Sequence, residues 1–128
     1  MNVKGIGIDA VDINRFKKAV EKHGKLFVRR IFTKNEQDYA GGKKGHYMHM
    51  AGKFAAKEAV KKSLPDGAEI GLNWTEIEIL NSEDGKPYVV LHGHAKKLMK
   101  KFELDGILVS ISHTKDLATA SALVTKNG

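Results

Sequence analysis

The sequence contains no cysteine in its 128 residues. This absence excludes a disulfide framework, a thiolate nucleophile and any zinc or iron–sulfur site that depends on cysteine. No apolar run approaches the roughly 20 residues that span a bilayer, so we expect no membrane partner. A reducing, cytoplasmic setting is consistent with this composition.

Positively charged residues outnumber negatively charged ones in this sequence. Apolar residues make up 41% and charged residues 29% of the chain, which is the balance of a folded globular protein. No repeat, low-complexity tract or linker divides residues 1–128, which predicts one domain. The net charge of +7 predicts an anionic partner, either nucleic acid, a phosphorylated small molecule or an acidic protein.

Residues 51–64 give the strongest helix prediction, because Ala, Lys, Glu and Leu dominate them. One stripe at helical spacing is apolar apart from Glu58 and Lys62, and a basic ridge runs beside it. An inward carboxylate flanked by lysines suits a site for a metal and a phosphorylated ligand. An exposed Glu–Lys pair in the favourable order explains the same two residues without a ligand. The stripe contains Ala51, Phe54, Ala55, Glu58, Ala59 and Lys62, and the ridge contains Lys53, Lys57 and Lys61.

Residues 3–9 predict a first strand that ends on an acid, Asp9. Its glycines at positions 5 and 7 mark the close approach of another backbone or of a ligand. Asp12 is the better cap for the helix that follows. Asp9 is therefore left without a structural role and becomes a candidate metal ligand.

A first helix is predicted from Asp12 to about His23, with Gly24 as its end. Between residues 15 and 30, seven cations stand against a single acid, Glu21. Such a surface is suited to docking an acidic partner, although a solvated charged face explains some of it. The cations are Arg15, Lys17, Lys18, Lys22, Lys25, Arg29 and Arg30.

The remaining patterns predict short elements. Thr33 and Glu36 predict a capping box before a second helix, and residues 41–45 predict a basic, flexible loop. The complete pattern predicts an α+β fold, with an antiparallel-rich sheet and helices packed on one face. The other predicted elements are strands at 74–80, 88–91, 107–111 and 118–124, a hairpin turn at Asp84-Gly85 and a helix at 95–102.

Three separated motifs, taken together and in this order, resemble the holo-acyl-carrier-protein synthase branch of the 4′-phosphopantetheinyl transferases. The resemblance spans nearly the whole chain, and its specificity comes from the combination, since one motif alone is weak. The matching residues are Gly5-Ile6-Gly7-Ile8-Asp9 with Ile13 and Arg15, Phe54-Ala-Ala-Lys57-Glu58-Ala59 with Lys62, and Ser110-Ile-Ser112-His113, with Gly85-Lys86-Pro87 before the last motif.

The resemblance implies transfer of the phosphopantetheine arm of coenzyme A to a serine of apo-acyl carrier protein, with release of adenosine 3′,5′-bisphosphate. It implies Mg²⁺ at Asp9 and Glu58, pyrophosphate contact by Lys62, and a homotrimer with its sites at subunit interfaces. Lys53 stands where many relatives carry arginine, which keeps the charge but loses the bidentate fork. The implied coenzyme A-binding residues are Lys53, Lys57, Lys62, Ser112 and His113.

The residue chemistry agrees with these implications. Phosphoryl transfer depends mainly on positioning and charge neutralisation, and one or two carboxylates usually hold Mg²⁺. Glu58 and Lys62 are the candidate catalytic residues, with Glu58 as the base for the acceptor serine. The basic first helix becomes the docking surface for acyl carrier protein, through Arg15, Lys18 and Lys22.

Two alternatives remain at the sequence level. A nucleic-acid-binding module without enzymatic activity fits the basic charge, but aromatic residues are only 7% of the chain and Asp9 and Glu58 are left unexplained. A scaffold without activity that binds acyl carrier protein would not need every matched carboxylate and lysine. A P-loop enzyme is excluded, because no GxxxxGK[ST] motif occurs.

Overall fold

The computed structural model describes residues 2–41, 46–66 and 71–127, and within them the architecture is α+β. The predicted loop over 41–45 falls almost wholly outside the described residues. None of the described helices is long and apolar enough to cross a membrane. The helices are α1 (Ile13–Ile31), α2 (Lys34–Gly41), α3 (His46–Ser63) and α4 (Gly93–Lys101), and the strands are β1 (Asn2–Asp12), β2 (Ile77–Asn81), β3 (Pro87–Leu91), β4 (Gly106–His113) and β5 (Leu117–Lys126).

The strands are antiparallel, as predicted, but they form two sheets. The larger sheet has the order β1-β5-β4, and the smaller one is the hairpin β2-β3. Strand β5 is central, so Ala120 lies between Asp9 on one side and Ile111 on the other. The end of the first strand and the SISH segment therefore lie at opposite edges of one sheet.

Helix α3 packs against β1 and β5 and supplies much of the core. Its alanines and Val60 meet small side chains of β5, such as Ala120 and Ala122. The approach to β1 is closer still, because a Cβ at Gly7 would overlap the carbonyl oxygen of Ala59. Glycine is required there since any side chain would push the strand away from the helix.

Helix α1 continues beyond the predicted end. Asp12 caps it, as predicted, by accepting a hydrogen bond from the Arg15 amide at 2.9 Å. Gly24 takes a positive φ of 70° and interrupts the helix for one residue, after which the helix resumes. The second segment contributes Ile31 to a core cluster with Phe16, and this burial explains why the chain returns to helix.

The predicted strand over 74–80 is corrected at its beginning. Residues Trp74–Glu76 form a 3₁₀ turn, and strand β2 begins only at Ile77. Glu78 of this strand is buried, where it accepts a hydrogen bond from the Thr33 hydroxyl and contacts His92 at 3.1 Å. These contacts lower the pKa of Glu78 against the opposing effect of burial, which is the largest single influence.

Candidate active site

Asp9 and Lys62 meet where β1 packs on α3. Asp9 follows Gly5 and Gly7 on the same face of the strand, and this face lies against the helix. The Lys62 ammonium donates to Asp9 Oδ1 and to the Ile8 carbonyl, both at 3.1 Å. Lys62 is therefore paired with the strand and makes no ion pair with Glu58 in the described part of the chain.

Glu58 lies one helical turn before Lys62 and is only partly buried. Its Oε1 accepts a hydrogen bond from the indole N–H of Trp74. Among the described residues, Oε2 receives no hydrogen bond. Glu58 thus contacts the 3₁₀ turn and is not paired with Lys62, as it would be on an exposed helix face.

The carboxylates at positions 9 and 58 suit Mg²⁺ better than a closed structural metal site. No group of three or more His, Cys, Asp or Glu side chains with metal-binding geometry occurs among residues 2–41, 46–66 and 71–127. Mg²⁺ usually takes one or two carboxylates and completes its shell with water and substrate phosphates. Asp9, in contact with Lys62, and Glu58, one helical turn before Lys62, are two carboxylates of this kind.

Lys57 does not lie where the sequence prediction placed it. Its ammonium is fully buried and donates to Glu36 Oε1 at 2.7 Å, to the Ile77 carbonyl at 2.7 Å and to the Trp74 carbonyl at 3.0 Å. All three hydrogens are used inside the protein, so none remains for coenzyme A. Burial lowers the pKa of Lys57, and the Glu36 carboxylate opposes this shift.

Lys53 is also buried, which corrects the predicted basic ridge, but it borders a cavity. It donates to the Ile79 carbonyl at 2.6 Å and lies 4.5 Å from the centroid of the Tyr39 ring. Burial lowers the pKa of Lys53 to about 8. The cavity, of about 260 Å³, is also lined by His113 and by Gly85 and Pro87 of the hairpin turn. Residues of two of the sequence motifs, Gly85-Lys86-Pro87 and Ser110-Ile-Ser112-His113, therefore meet Lys53 there.

The structure divides the other predicted residues among three places. Asp9, Glu58 and Lys62 do not line the Lys53–His113 cavity, and Ser112 also lies outside it. Ser112 is an exposed residue of β4 that pairs with Thr119. Arg15, Lys18 and Lys22 are exposed along α1.

A second cavity, of about 450 Å³, lies between α1 and the 3₁₀ turn. Apolar side chains dominate its lining, and two basic side chains stand among them. Trp74 connects this cavity to Glu58 through the indole hydrogen bond. The lining residues are His23, Leu26, Phe27, Arg30, Ile31, Phe54 and Trp74.

Sequence reasoning missed Trp74 and Glu36 as parts of this region. A signal for the turn was present, because Asn73 and Glu76 form a capping box of the N-x-x-E type. The amide of Asn73 donates to Glu76 Oε2 at 2.8 Å. No local signal identifies Glu36, whose partner Lys57 lies 21 residues further along the chain.

Comparisons with known proteins agree with this geometry. The model of the 4′-phosphopantetheinyl transferase superfamily matches residues 5–121. The holo-[acyl-carrier-protein] synthase of Protochlamydia amoebophila (strain UWE25) is 44% identical over 93% of this chain and 95% of its own. That of Alkaliphilus oremlandii (strain OhILAs) is 46% identical over 94% and 98%. The crystal structure of a holo-(acyl-carrier-protein) synthase from Bacillus anthracis str. Ames in complex with CoA (3′,5′-ADP) superposes with a TM-score of 0.75, at 31% identity over 98% of both chains.

Proposed function

The chain belongs to the 4′-phosphopantetheinyl transferase superfamily, and we propose that it is a holo-acyl-carrier-protein synthase. It transfers the phosphopantetheine group of coenzyme A to a serine of apo-acyl carrier protein. The observation that carries this conclusion is the likeness to holo-[acyl-carrier-protein] synthases over more than nine-tenths of the chain. Family membership also favours this function over the nucleic-acid-binding alternative.

In the proposed reaction, the serine oxygen forms a bond to the phosphorus that carries the pantetheine group. The bond between this phosphorus and the bridging oxygen breaks, and adenosine 3′,5′-bisphosphate leaves. The Glu58 carboxylate takes up the proton of the serine hydroxyl, directly or through a bound water. Lys62 contacts the diphosphate and offsets the charge that develops on the leaving oxygen.

We assign Asp9 and Glu58 as the residues that hold Mg²⁺. When bound, the ion supplies positive charge to the diphosphate of coenzyme A. The support for this assignment is the Glu58 carboxylate, one oxygen of which accepts no hydrogen bond from the described residues, and the position of Asp9 against α3 beside Lys62.

Coenzyme A is proposed to extend from Lys62 to the cavity that Lys53 and His113 border. A cation and an imidazole in the lining of one cavity suit the phosphate groups of this substrate. We keep Ser112 as a neighbouring contact because it precedes His113 in β4. Lys57 is removed from this set, since its hydrogens are donated within the core.

Acyl carrier protein is proposed to dock on α1. The exposed cations Arg15, Lys18 and Lys22 present positive charge to an acidic partner. The neighbouring cavity of about 450 Å³ offers an apolar surface for a partner side chain, with Trp74 in its wall. Docking there brings the acceptor serine toward Glu58. We place this activity in the cytoplasm.

A homotrimer is proposed from the outer face of the larger sheet. Ile6, Leu123 and Leu108 form one rung across this sheet, and Ile8 follows on the same face of β1. Ile6 is 71% exposed, Ile8 70% and Leu108 60%. Exposed apolar patches of this kind mark interaction surfaces. In the proposed assembly, the groups of site residues that lie apart within one chain come together at the interfaces between chains.

Intact mass spectrometry of the carrier protein tests the function. The chain is incubated with apo-acyl carrier protein, coenzyme A and Mg²⁺, with a parallel reaction in EDTA. We expect a mass gain of one phosphopantetheine group that requires the metal. Glu58→Gln should lose the gain while it keeps its fold, whereas Glu83→Gln, in the exposed hairpin turn, should retain it. No gain by the unchanged protein with several carrier proteins would overturn the proposal.

A further inference from the structure

We propose that Trp74 is a positioning residue for the transfer reaction, because its indole N–H fixes the orientation of the Glu58 carboxylate. This inference rests on the proposed function, in which Glu58 holds Mg²⁺ and accepts the serine proton. Trp74 itself touches neither the metal nor the reacting atoms. It acts only through the carboxylate that it holds.

The contact is directional. The indole nitrogen carries one hydrogen and accepts none, so it occupies a single oxygen of the carboxylate. It donates to Glu58 Oε1, which leaves Oε2 as the free oxygen of the same group. An unrestrained glutamate side chain samples several rotamers, and the hydrogen bond selects the one that faces the 3₁₀ turn.

The backbone of Trp74 is held by the residue next to Glu58. Lys57 donates to the Trp74 carbonyl at 3.0 Å, while the Trp74 indole donates to Glu58. Two consecutive residues of α3 therefore contact one residue of the turn, one through its backbone and one through its side chain. The turn cannot shift along the helix without breaking one of these hydrogen bonds.

A buried ion pair supports this arrangement. Glu36 contacts Lys57 at 2.7 Å and accepts backbone hydrogen bonds from Thr33 at 2.8 Å and Ile79 at 2.7 Å. Buried ion pairs add little net stability because desolvation offsets their attraction. The role that we assign to this ion pair is to fix the position of the turn that orients Glu58.

Packing alone does not account for Trp74. Its ring lies 5.7 Å from that of Phe54, and it is only partly buried, because it also lines the cavity beside α1. A phenylalanine would provide much of the same apolar contact. What tryptophan adds to a phenylalanine ring at this position is the indole hydrogen-bond donor.

Trp74→Phe tests the inference because it keeps an aromatic ring and removes the donor. We expect kcat to fall about 10- to 100-fold, the range for a lost hydrogen bond to a charged group. The KM for coenzyme A should change less than about threefold. Thr75→Ala, in the same turn, should leave both parameters near those of the unchanged protein. An unchanged kcat, or a rise in KM alone, would overturn the inference.

Fluorescence provides a readout that does not depend on activity. Trp74 is the only tryptophan in the chain, so the emission reports on its indole alone. Glu58→Ala should shift the emission relative to the unchanged protein, and Glu83→Gln should not. Equal emission in all three proteins would show that the contact does not form, and would overturn the inference. If the unchanged protein transfers nothing but Glu58→Ala shifts the emission, the proposed function fails while the contact stands.

Discussion

Lys57 and Glu36 carry opposite charges in a part of the core that water does not reach. Both side chains are fully buried, and their ionised atoms are 2.7 Å apart. Further hydrogen bonds satisfy both groups: Glu36 accepts from two backbone amides, and Lys57 donates to two carbonyls. Removing one partner therefore leaves a buried charge without its counter-ion.

Lys57→Met is expected to destabilise the protein strongly. The variant keeps an unbranched apolar side chain of similar length but leaves the Glu36 carboxylate unpaired. We expect the free energy of unfolding to fall by about 3–5 kcal/mol, measured by denaturant titration at pH 7.

Two further variants control this prediction. Lys61→Met, on the same helix but only partly buried, should change the free energy of unfolding by less than about 0.5 kcal/mol. Lys57→Met/Glu36→Gln should recover part of the loss, because it removes the unpaired charge. A single variant as stable as the Lys61→Met control would show that the pair is not buried in solution.

Among individual residues, local roles were predictable and distant ones were not. The Asp12 cap and the Thr33–Glu36 capping box depend on residues three positions apart, so the sequence pattern was sufficient. Lys57 was misassigned to the coenzyme A site because its acceptors Glu36 and Ile77 lie about 20 residues away in either direction. Without the tertiary structure, a buried lysine resembles any other lysine of a basic helix.

At the scale of elements, the contact of β1 with α3 determines where Asp9 lies. Gly5 and Gly7 let the strand backbone approach the carbonyls of Ser63 and Ala59. Asp9 extends from the same face and reaches Lys62. The spacing of the two elements thus controls the position of a proposed metal ligand.

Gly7→Ala is expected to destabilise the fold and displace Asp9. The added Cβ overlaps the Ala59 carbonyl oxygen, which belongs to rigid helix backbone. We expect a loss of about 1–3 kcal/mol or more in the free energy of unfolding, measured by thermal and denaturant unfolding. Gly41→Ala, where a Cβ meets no atom within 4 Å, is the matched control and should have little effect. Equal stability of the two variants would contradict the proposed close packing.

The order and type of most elements followed from the sequence pattern, whereas two boundaries did not. The helix was predicted to end at Gly24, but one residue of positive φ interrupts α1 without ending it. Alternation over 74–80 predicted one strand, although Asn73 and Glu76 form a 3₁₀ turn first. The pattern also does not show the partners of the buried Glu78, because Thr33 and His92 come from outside strand β2.

At the scale of the whole molecule, the larger sheet is covered by α3 on one face and carries exposed apolar side chains on the other. Periodicity predicted that helices cover one face, and this is confirmed. It could not predict what covers the second face, because a two-residue alternation does not show whether the side chains on that face contact another chain. The trimer implied by the family resemblance remains a prediction.

Ile6→Arg tests the assembly. Charge at the β1 end of the exposed rung should prevent burial of Leu108 and Leu123 in an interface. We expect the unchanged protein to have the mass of a trimer by light scattering and the variant that of a monomer. Leu26→Arg, at a residue that is 73% exposed on α1, should leave the trimer intact. A monomeric unchanged protein would refute the assembly.

The separation of the proposed site into two groups of residues has a consequence for enzyme dosage. If neighbouring chains complete each site, the number of working sites depends on mass action and not simply on the number of chains. Below the dissociation constant of the assembly, halving the amount of protein would then remove more than half of the catalytic capacity. Output would thus respond to protein abundance more steeply than in proportion.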